Sequence, residues 1–256
     1  MPELPEAENI VRTLAPRITG QRILRSEFRT PRSRQGPMPD LAGRGVISVS
    51  RYGKQVLIGL DEGFLLIELR MTGLLLWRED LGTHTRARLI FGHGAVRFDD
   101  IRQFGSFRFL HDPPDHLGPD PLEIPPGDFR ARLQVRQRML KPLLLDQRFL
   151  RGLGNIYVDE ILFRARIHPV ALASRLSRAR VERLHDSMVM ALAEAIECGG
   201  SSISDYVNAD GVKGRFQIRH RVYGKAGVPC RRCRFPIRRV VVGQRGTHFC
   251  PHCQRR

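Results

Sequence analysis

The hydrophobic pattern changes period twice along the chain. Residues 2–20 carry Ile10, Val11, Leu14 and Ile18 on one stripe, with Pro5 in the first turn and Gly20 at the end, which predicts a short amphipathic helix. From about residue 21 to 110 the runs become short and β-rich: Val46 to Val49, Gln55 to Leu60, Phe64 to Leu69, Ala87 to Phe91 and Phe107 to Leu110. Asp61-Glu62-Gly63 and Gly92-His93-Gly94 punctuate them as turns. This predicts a two-layer β domain with one helix packed on it. A stretch rich in Pro, Asp and Gly follows, and then a helical period returns, with Leu176, Leu184, Met188, Leu192 and Ile196 on one face and Gly199-Gly200 as its stop. The expected organisation is 1–112 as the β domain, 113–128 as linker, 129–214 as a helical domain and 215–256 as a cysteine module. The expected class is α+β, multidomain.

Composition sharpens this. Forty-three Lys and Arg against 26 Asp and Glu leave a net charge of +17. Such a field attracts polyanions, nucleic acid first and anionic membrane second. Arg outnumbers Lys, which suits bidentate phosphate contacts. No apolar run is long enough for a transmembrane helix. The opening Met1-Pro2-Glu3-Leu4-Pro5-Glu6 does not read as a signal peptide, so a cytoplasmic location is expected.

Four of the five cysteines form Cys230-x2-Cys233 and Cys250-x2-Cys253. Two such knuckles place four thiolates around one tetrahedral ion, so one structural zinc is expected, with no open position for catalysis. Arg231, Arg232, Arg234, Arg238, Arg239 and Arg245 between the knuckles offer a phosphate grip or a solvated basic surface. Lone Cys198 ends an apolar stripe and reads as a buried side chain.

The N-terminus allows two readings. Pro near a helix start with Glu in its first turn is ordinary capping. Alternatively, removal of Met1 leaves Pro2 as a secondary amine able to attack a sugar C1′, with Glu3 to donate or relay protons and Glu6 one turn along.

Met-Pro-Glu-Leu-Pro-Glu at the start, Gly152-Leu-Gly-Asn-Ile-Tyr-Val-Asp-Glu160 in the middle and the paired CxxC knuckles at the end together resemble the bacterial formamidopyrimidine-DNA glycosylases, over essentially the whole chain. Leu4 favours that branch over the related endonuclease VIII, which usually has Gly there. The resemblance implies an N-terminal β-sandwich with a packed helix, a helix–two-turn–helix domain and a zinc-finger β-hairpin. It implies a monomer that holds damaged duplex DNA between its domains and acts in base excision repair. There it removes oxidised purines such as 8-oxoguanine and formamidopyrimidines, then cuts the strand by β,δ-elimination.

By the same resemblance Pro2 is the Schiff-base nucleophile, Glu3 the general acid, Glu6 a further catalytic carboxylate and Lys54 a lysine that contacts a phosphate and assists elimination. Met71, Arg102 and Phe104 form the wedge that fills the space of the extruded nucleotide. His84, Arg136, Lys141 and Asn155 contact DNA, and Arg245 grips the phosphates beside the lesion. Residues 201–216 correspond to a loop that closes over the everted base. Glu68 stands where many members carry His, and Gln103 replaces a basic residue. A glycosylase for oxidised pyrimidines, an inactive DNA-binding protein and an RNA-binding zinc-ribbon protein are the rival readings.

Overall fold

The computed structural model describes residues 2–203 and 205–256. Met1, whose removal the N-terminal reading needs, and Ser204 in the 201–216 loop lie outside the described residues. The chain divides into two compact units, Met1–Asp115 with Ile196–Gln217, and His116–Ala195 with Ile218–Arg256.

The first unit begins with α1 (Leu4–Ile18) and continues through eight strands: β1 (Arg25–Phe28), β2 (Val46–Tyr52), β3 (Gln55–Leu60), β4 (Phe64–Glu68), β5 (Gly73–Trp77), β6 (Thr85–Phe91), β7 (Gly94–Asp100) and β8 (Ser106–Leu110). They form two antiparallel four-stranded sheets, ordered β1-β6-β7-β5 and β2-β3-β4-β8. Alternation along β6 turns Thr85, Ala87, Leu89 and Phe91 inward. Ala87, Leu89 and Phe91 meet Val56, Ile58, Leu65 and Ile67 of the other sheet in one core. Phe98 and Phe107 touch edge to face across it, centroids 5.2 Å apart. Ile10, Leu14 and Ile18 of α1 enter the same core. Each such side chain contributes about 1.5–3 kcal/mol of burial, which is what holds the helix down. β1, β5 and β7 are strands that the hydrophobic pattern alone does not single out.

The second unit contains α2 (Pro126–Gln134), α3 (Leu140–Leu144), α4 (Asn155–Arg164), most of α5 (Arg178–Glu197) and the hairpin of β9 (Arg238–Val242) and β10 (Arg245–Phe249). α2 begins inside the stretch expected as linker. Tyr157, Val158, Ile161 and Leu162 of α4 are buried, as are Leu184, Met188 and Leu192 of α5. Among the described residues, no helix is long and apolar enough to cross a membrane.

The expected helical domain ran to residue 214, but 196–217 clusters with the first unit. The reason is a set of specific bonds. The Trp77 N–H donates to Ala209 O at 2.8 Å, the Ala209 N–H donates to Thr13 Oγ1 at 3.1 Å, and Arg17 pairs with Asp210 at 2.5 Å. The segment also closes on itself, with the Phe216 N–H on Gly200 O and the Arg215 N–H on Cys198 O. Gly214 lies where the two arms pass: a Cβ there would sit 2.2 Å from Gly200 O and 2.4 Å from Gly199 O. Backbone cannot yield as a flexible side chain does. Gly214→Ala therefore costs about 1–3 kcal/mol of stability, read as a lowered unfolding midpoint, whereas Gly127→Ala, where a Cβ meets nothing within 4 Å, leaves the midpoint almost unchanged.

Candidate nucleic-acid interface and zinc centre

Pro2 and the two carboxylates after it are buried at the start of α1, with Glu3 3% and Glu6 2% exposed. The first N–H groups of a helix lack intrahelical acceptors, and its positive end favours anions. Glu6 uses both effects. Its Oε2 accepts the Glu3 N–H at 2.8 Å, closing a capping box, and its Oε1 accepts the Ser201 N–H at 2.7 Å. The Tyr206 hydroxyl donates to Glu6 O at 3.1 Å. Burial, with the Glu6 charge nearby, pushes that phenol well above its ordinary range, so it stays a neutral donor. Glu6 is thus engaged by backbone N–H groups on both oxygens. Gly200 permits the approach: at φ +81° its missing Cβ would lie 2.8 Å from Glu6 Oε1.

Lys54 is half-buried in the two-residue turn between β2 and β3, where Gly53 has φ +66°. His84 is exposed at the start of β6. Met71 and Phe104, which would ordinarily be core residues, are 47% and 52% exposed. Arg102 joins them, its guanidinium 4.6 Å from the Phe104 ring centre and its Nη1 3.2 Å from Met71 Sδ. The three expected wedge residues are therefore one contiguous exposed cluster. Behind it stands Asp100, 1% exposed. Its Oδ1 accepts the Thr72 hydroxyl at 2.5 Å and the Arg102 N–H at 3.2 Å, and its Oδ2 accepts the Gly105 N–H at 2.8 Å. One carboxylate thus ties the 100–105 turn to the 69–73 turn. The five-residue spacing from Asp100 to Gly105 was the available signal for it. Glu68 accepts from Arg70 Nε at 2.6 Å and from Gln55 Nε2 at 2.8 Å. Arg70 lies at φ 52°, immediately before Met71.

In the second unit, Arg136 and Arg245 are exposed. Arg245 follows the tight Gly243-Gln244 turn, both residues at positive φ. Lys141 is not available as a surface contact. It is fully buried with Asp159, its Nζ 2.6 Å from Asp159 Oδ1 and 3.1 Å from Gly246 O. Asn155 donates one of its two Nδ2 hydrogens to the same Gly246 O at 3.0 Å. Asp159 Oδ2 takes the His248 N–H at 2.8 Å. A Cβ on Gly243 would come within 2.8 Å of Pro142 Cγ, so α3 packs closely beneath the turn. Lys141, Asn155 and Asp159 together fix the hairpin tip that presents Arg245.

Glu160, the next residue, accepts the backbone N–H groups of Arg221, Val222 and Tyr223 at 2.8–3.0 Å. Burial raises its pKa and those donors oppose the rise. His220, buried beside them, is pushed down to about 4 by desolvation and so is neutral at pH 7. Sequence reasoning assigned no role to Asp100, Asp159, Glu160 or Tyr206; Asp159, Glu160 and Tyr206 are defined by partners distant in the chain, and Asp100 by Thr72 as well as by its near neighbours.

The four cysteine sulfurs all lie within 4.8 Å of one another, with Cys230 to Cys253 at 3.9 Å and Cys233 to Cys250 at 3.4 Å. A tetrahedron of thiolates about 2.3 Å from zinc has edges of about 3.8 Å. The residues fit one structural zinc, with every ligand position supplied by the chain.

Three family models cover most of the chain. The formamidopyrimidine-DNA glycosylase N-terminal domain matches residues 1–107 and the formamidopyrimidine-DNA glycosylase H2TH domain matches 117–207. The zinc finger found in FPG and IleRS matches 227–256. A formamidopyrimidine-DNA glycosylase of Solibacter usitatus is 52% identical over 265 residues, and one of Heliobacterium modesticaldum is 44% identical over 277, each alignment covering all of both chains. Among solved structures, MutM (FPG) of Thermus thermophilus matches with a TM-score of 0.89 at 41% identity, over 99% of this chain and 98% of that one. The Lactococcus lactis Fpg in complex with an abasic site containing DNA matches with a TM-score of 0.90 at 36% identity, over 99% and 100%. The chain belongs to the formamidopyrimidine-DNA glycosylase family.

Two outcomes test this geometry. Lys141→Met leaves Asp159 in the interior without its Lys partner and costs about 3–5 kcal/mol, measured by denaturant unfolding. Lys141→Met combined with Asp159→Leu recovers part of that loss. Titrating the cysteines with an organic mercurial releases one zinc per chain, and the loss of hairpin order appears as faster amide exchange from 238 to 249.

Proposed function

We propose that the chain is a DNA glycosylase and abasic-site lyase of base excision repair, acting on oxidised purines in double-stranded DNA. The observation that carries this reading is the buried Pro2-Glu3-Glu6 start of α1, within a chain that aligns end to end with formamidopyrimidine-DNA glycosylases.

With Met1 removed, the Pro2 nitrogen carries the lone pair. The positive end of α1 disfavours its protonation and keeps it nucleophilic. The nitrogen attacks C1′ of the damaged nucleotide, the N-glycosidic bond breaks, and Glu3 supplies the proton that the departing base needs. The attached nitrogen loses its proton, the C1′–O4′ bond opens with O4′ taking up a proton, and the iminium so formed acidifies the C2′ protons. Loss of one expels the 3′ phosphate, with Lys54 assisting, and a second elimination expels the 5′ phosphate, held by Arg245. Glu6 holds the Glu3 backbone in place throughout. Extrusion of the nucleotide costs a few kcal/mol. Met71 and Phe104 replace the lost stacking, and Arg102 hydrogen-bonds the orphaned base. His84 and Arg136, both exposed cations or donors, contact the phosphate backbone. Lys141 and Asn155 serve this binding through the Gly246 carbonyl. Zinc supplies the rigidity of the hairpin and no reacting group. The chain acts as a monomer in the cytoplasm.

An added residue ahead of Pro2 moves the amine away without disturbing the DNA-binding surfaces. Such a protein binds an abasic duplex with affinity within about threefold of the parent and gives no borohydride-trapped complex. Undiminished trapping refutes the nucleophile assignment. Glu3→Gln slows 8-oxoguanine release by at least a hundredfold while nicking of preformed abasic sites persists, since no base then has to leave. Preference for thymine glycol over 8-oxoguanine would move the substrate class to oxidised pyrimidines.

A further inference from the structure

We propose a second anion site in the zinc-bearing unit, at the far end of α4 from the hairpin tip that bears Arg245 and suited to a ligand with two or more linked phosphates. It is a cavity of about 730 Å³ whose wall carries six arginines, Arg166, Arg180, Arg183, Arg232, Arg255 and Arg256, with the zinc ligands Cys233 and Cys253 alongside.

Its place follows from α4. Asn155 opens that helix and bonds to the hairpin tip through Gly246 O. Arg164 ends it, and Arg166 follows at φ 57°. Ten helical residues span about 15 Å, so the cavity lies at the opposite end of α4 from the tip that bears Arg245. The knuckle end of the ribbon is fastened there. Arg232 donates to Phe163 O at 2.8 Å and covers the Phe163 ring at 4.4 Å, and the Arg255 N–H donates to Arg166 O. The cavity wall is therefore built on packed structure.

Its charge is unbalanced. None of the six guanidiniums forms an ion pair with Asp or Glu among the described residues. The nearby acids are committed elsewhere, Glu194 to Arg164 and Arg219, and Glu182 to Arg178. Arg180 Nη1 and Nη2 donate to Arg256 O and Arg255 O, and Arg183 Nε donates to Ala165 O. These bonds orient the guanidiniums, and the Arg256 oxygen, which belongs to a terminal carboxylate, offsets one of the six charges. Burial and the Arg183 charge together lower the Arg180 pKa, a mark of crowded cations. Four thiolates around a divalent ion leave a double negative charge, which offsets only part of six. Guanidinium forks match phosphate oxygens bidentately, and a concave wall with several forks matches a chain of phosphates better than a single one.

The test is calorimetric titration of the zinc-loaded full chain with inorganic pyrophosphate, and in a second arm with ATP, at low ionic strength. Pyrophosphate binds saturably at one site per chain. Arg166→Gln combined with Arg255→Gln, both exposed positions, weakens it at least tenfold while zinc content and nicking of an abasic duplex stay at parental values. ATP binding tighter than pyrophosphate identifies a nucleotide as the source of the phosphates, and equal affinities identify the bare phosphate chain; either upholds the site. The assignment is overturned by absence of saturable binding in both arms, by equal binding to the double variant, or by pyrophosphate displacing a bound lesion duplex at its binding concentration. That last result would place the anion on the DNA face, and it is independent of which base the enzyme excises.

Discussion

The first unit turns on a single buried carboxylate. Glu6 accepts one backbone N–H from Glu3 and one from Ser201, residues far apart in the chain. A charge in that position is tolerable because it sits at the positive end of a helix with both oxygens hydrogen-bonded. The consequence is geometric. The start of α1 cannot fray without stranding a buried anion, so Pro2 and Glu3 are held where the core places them. The loop that follows Gly199-Gly200 is fastened to the same atoms. Chain termini are ordinarily mobile; here Pro2 and the N-cap Glu3 lead directly into a helix whose inner face is core.

The second unit repeats the logic. Lys141 and Asp159 form a fully buried pair that is unremarkable as a source of net stability, since desolvation offsets much of the attraction. Its value lies in direction. The ammonium and the Asn155 amide converge on one carbonyl, Gly246 O, immediately after Arg245. In both units a buried charge fixes the segment in front of it, and the same holds for Asp100 behind Arg102 and Phe104. Glu68 holds Arg70 and Gln55, which makes that corner of the β4–β5 turn less cationic at its base.

Much of this was legible beforehand. The apolar stripe of α1, the short β-rich run of β6 and the paired CxxC knuckles are local patterns, and each appears where its period, run or spacing placed it. β7 was hidden because Arg97, Asp99 and Asp100 interrupt its apolar positions, and their partners lie in the tertiary structure. β5 is a plain apolar run, Leu74-Leu75-Leu76, which fits a buried helix or strand equally. Lys141 read as a surface cation because lysine rarely buries without a partner, and the partner is a turn of another helix. Met71 and Phe104 show the reverse: by type they belong inside, and only the family resemblance marked them as exposed. Catalytic residue types could be named from motifs, whereas the groups that aim them depended on contacts between distant segments.

The central claim is that the amine of Pro2, held by Glu3 and Glu6, forms the covalent link to deoxyribose. The most direct measurement is to reduce the complex of active protein with an 8-oxoguanine duplex, digest it, and locate the sugar adduct by mass spectrometry. The account predicts a single adduct on the nitrogen of an N-terminal Pro2 peptide lacking Met1. An adduct on the side chain of Lys54 or any other lysine, or full activity in protein that retains Met1, would contradict it.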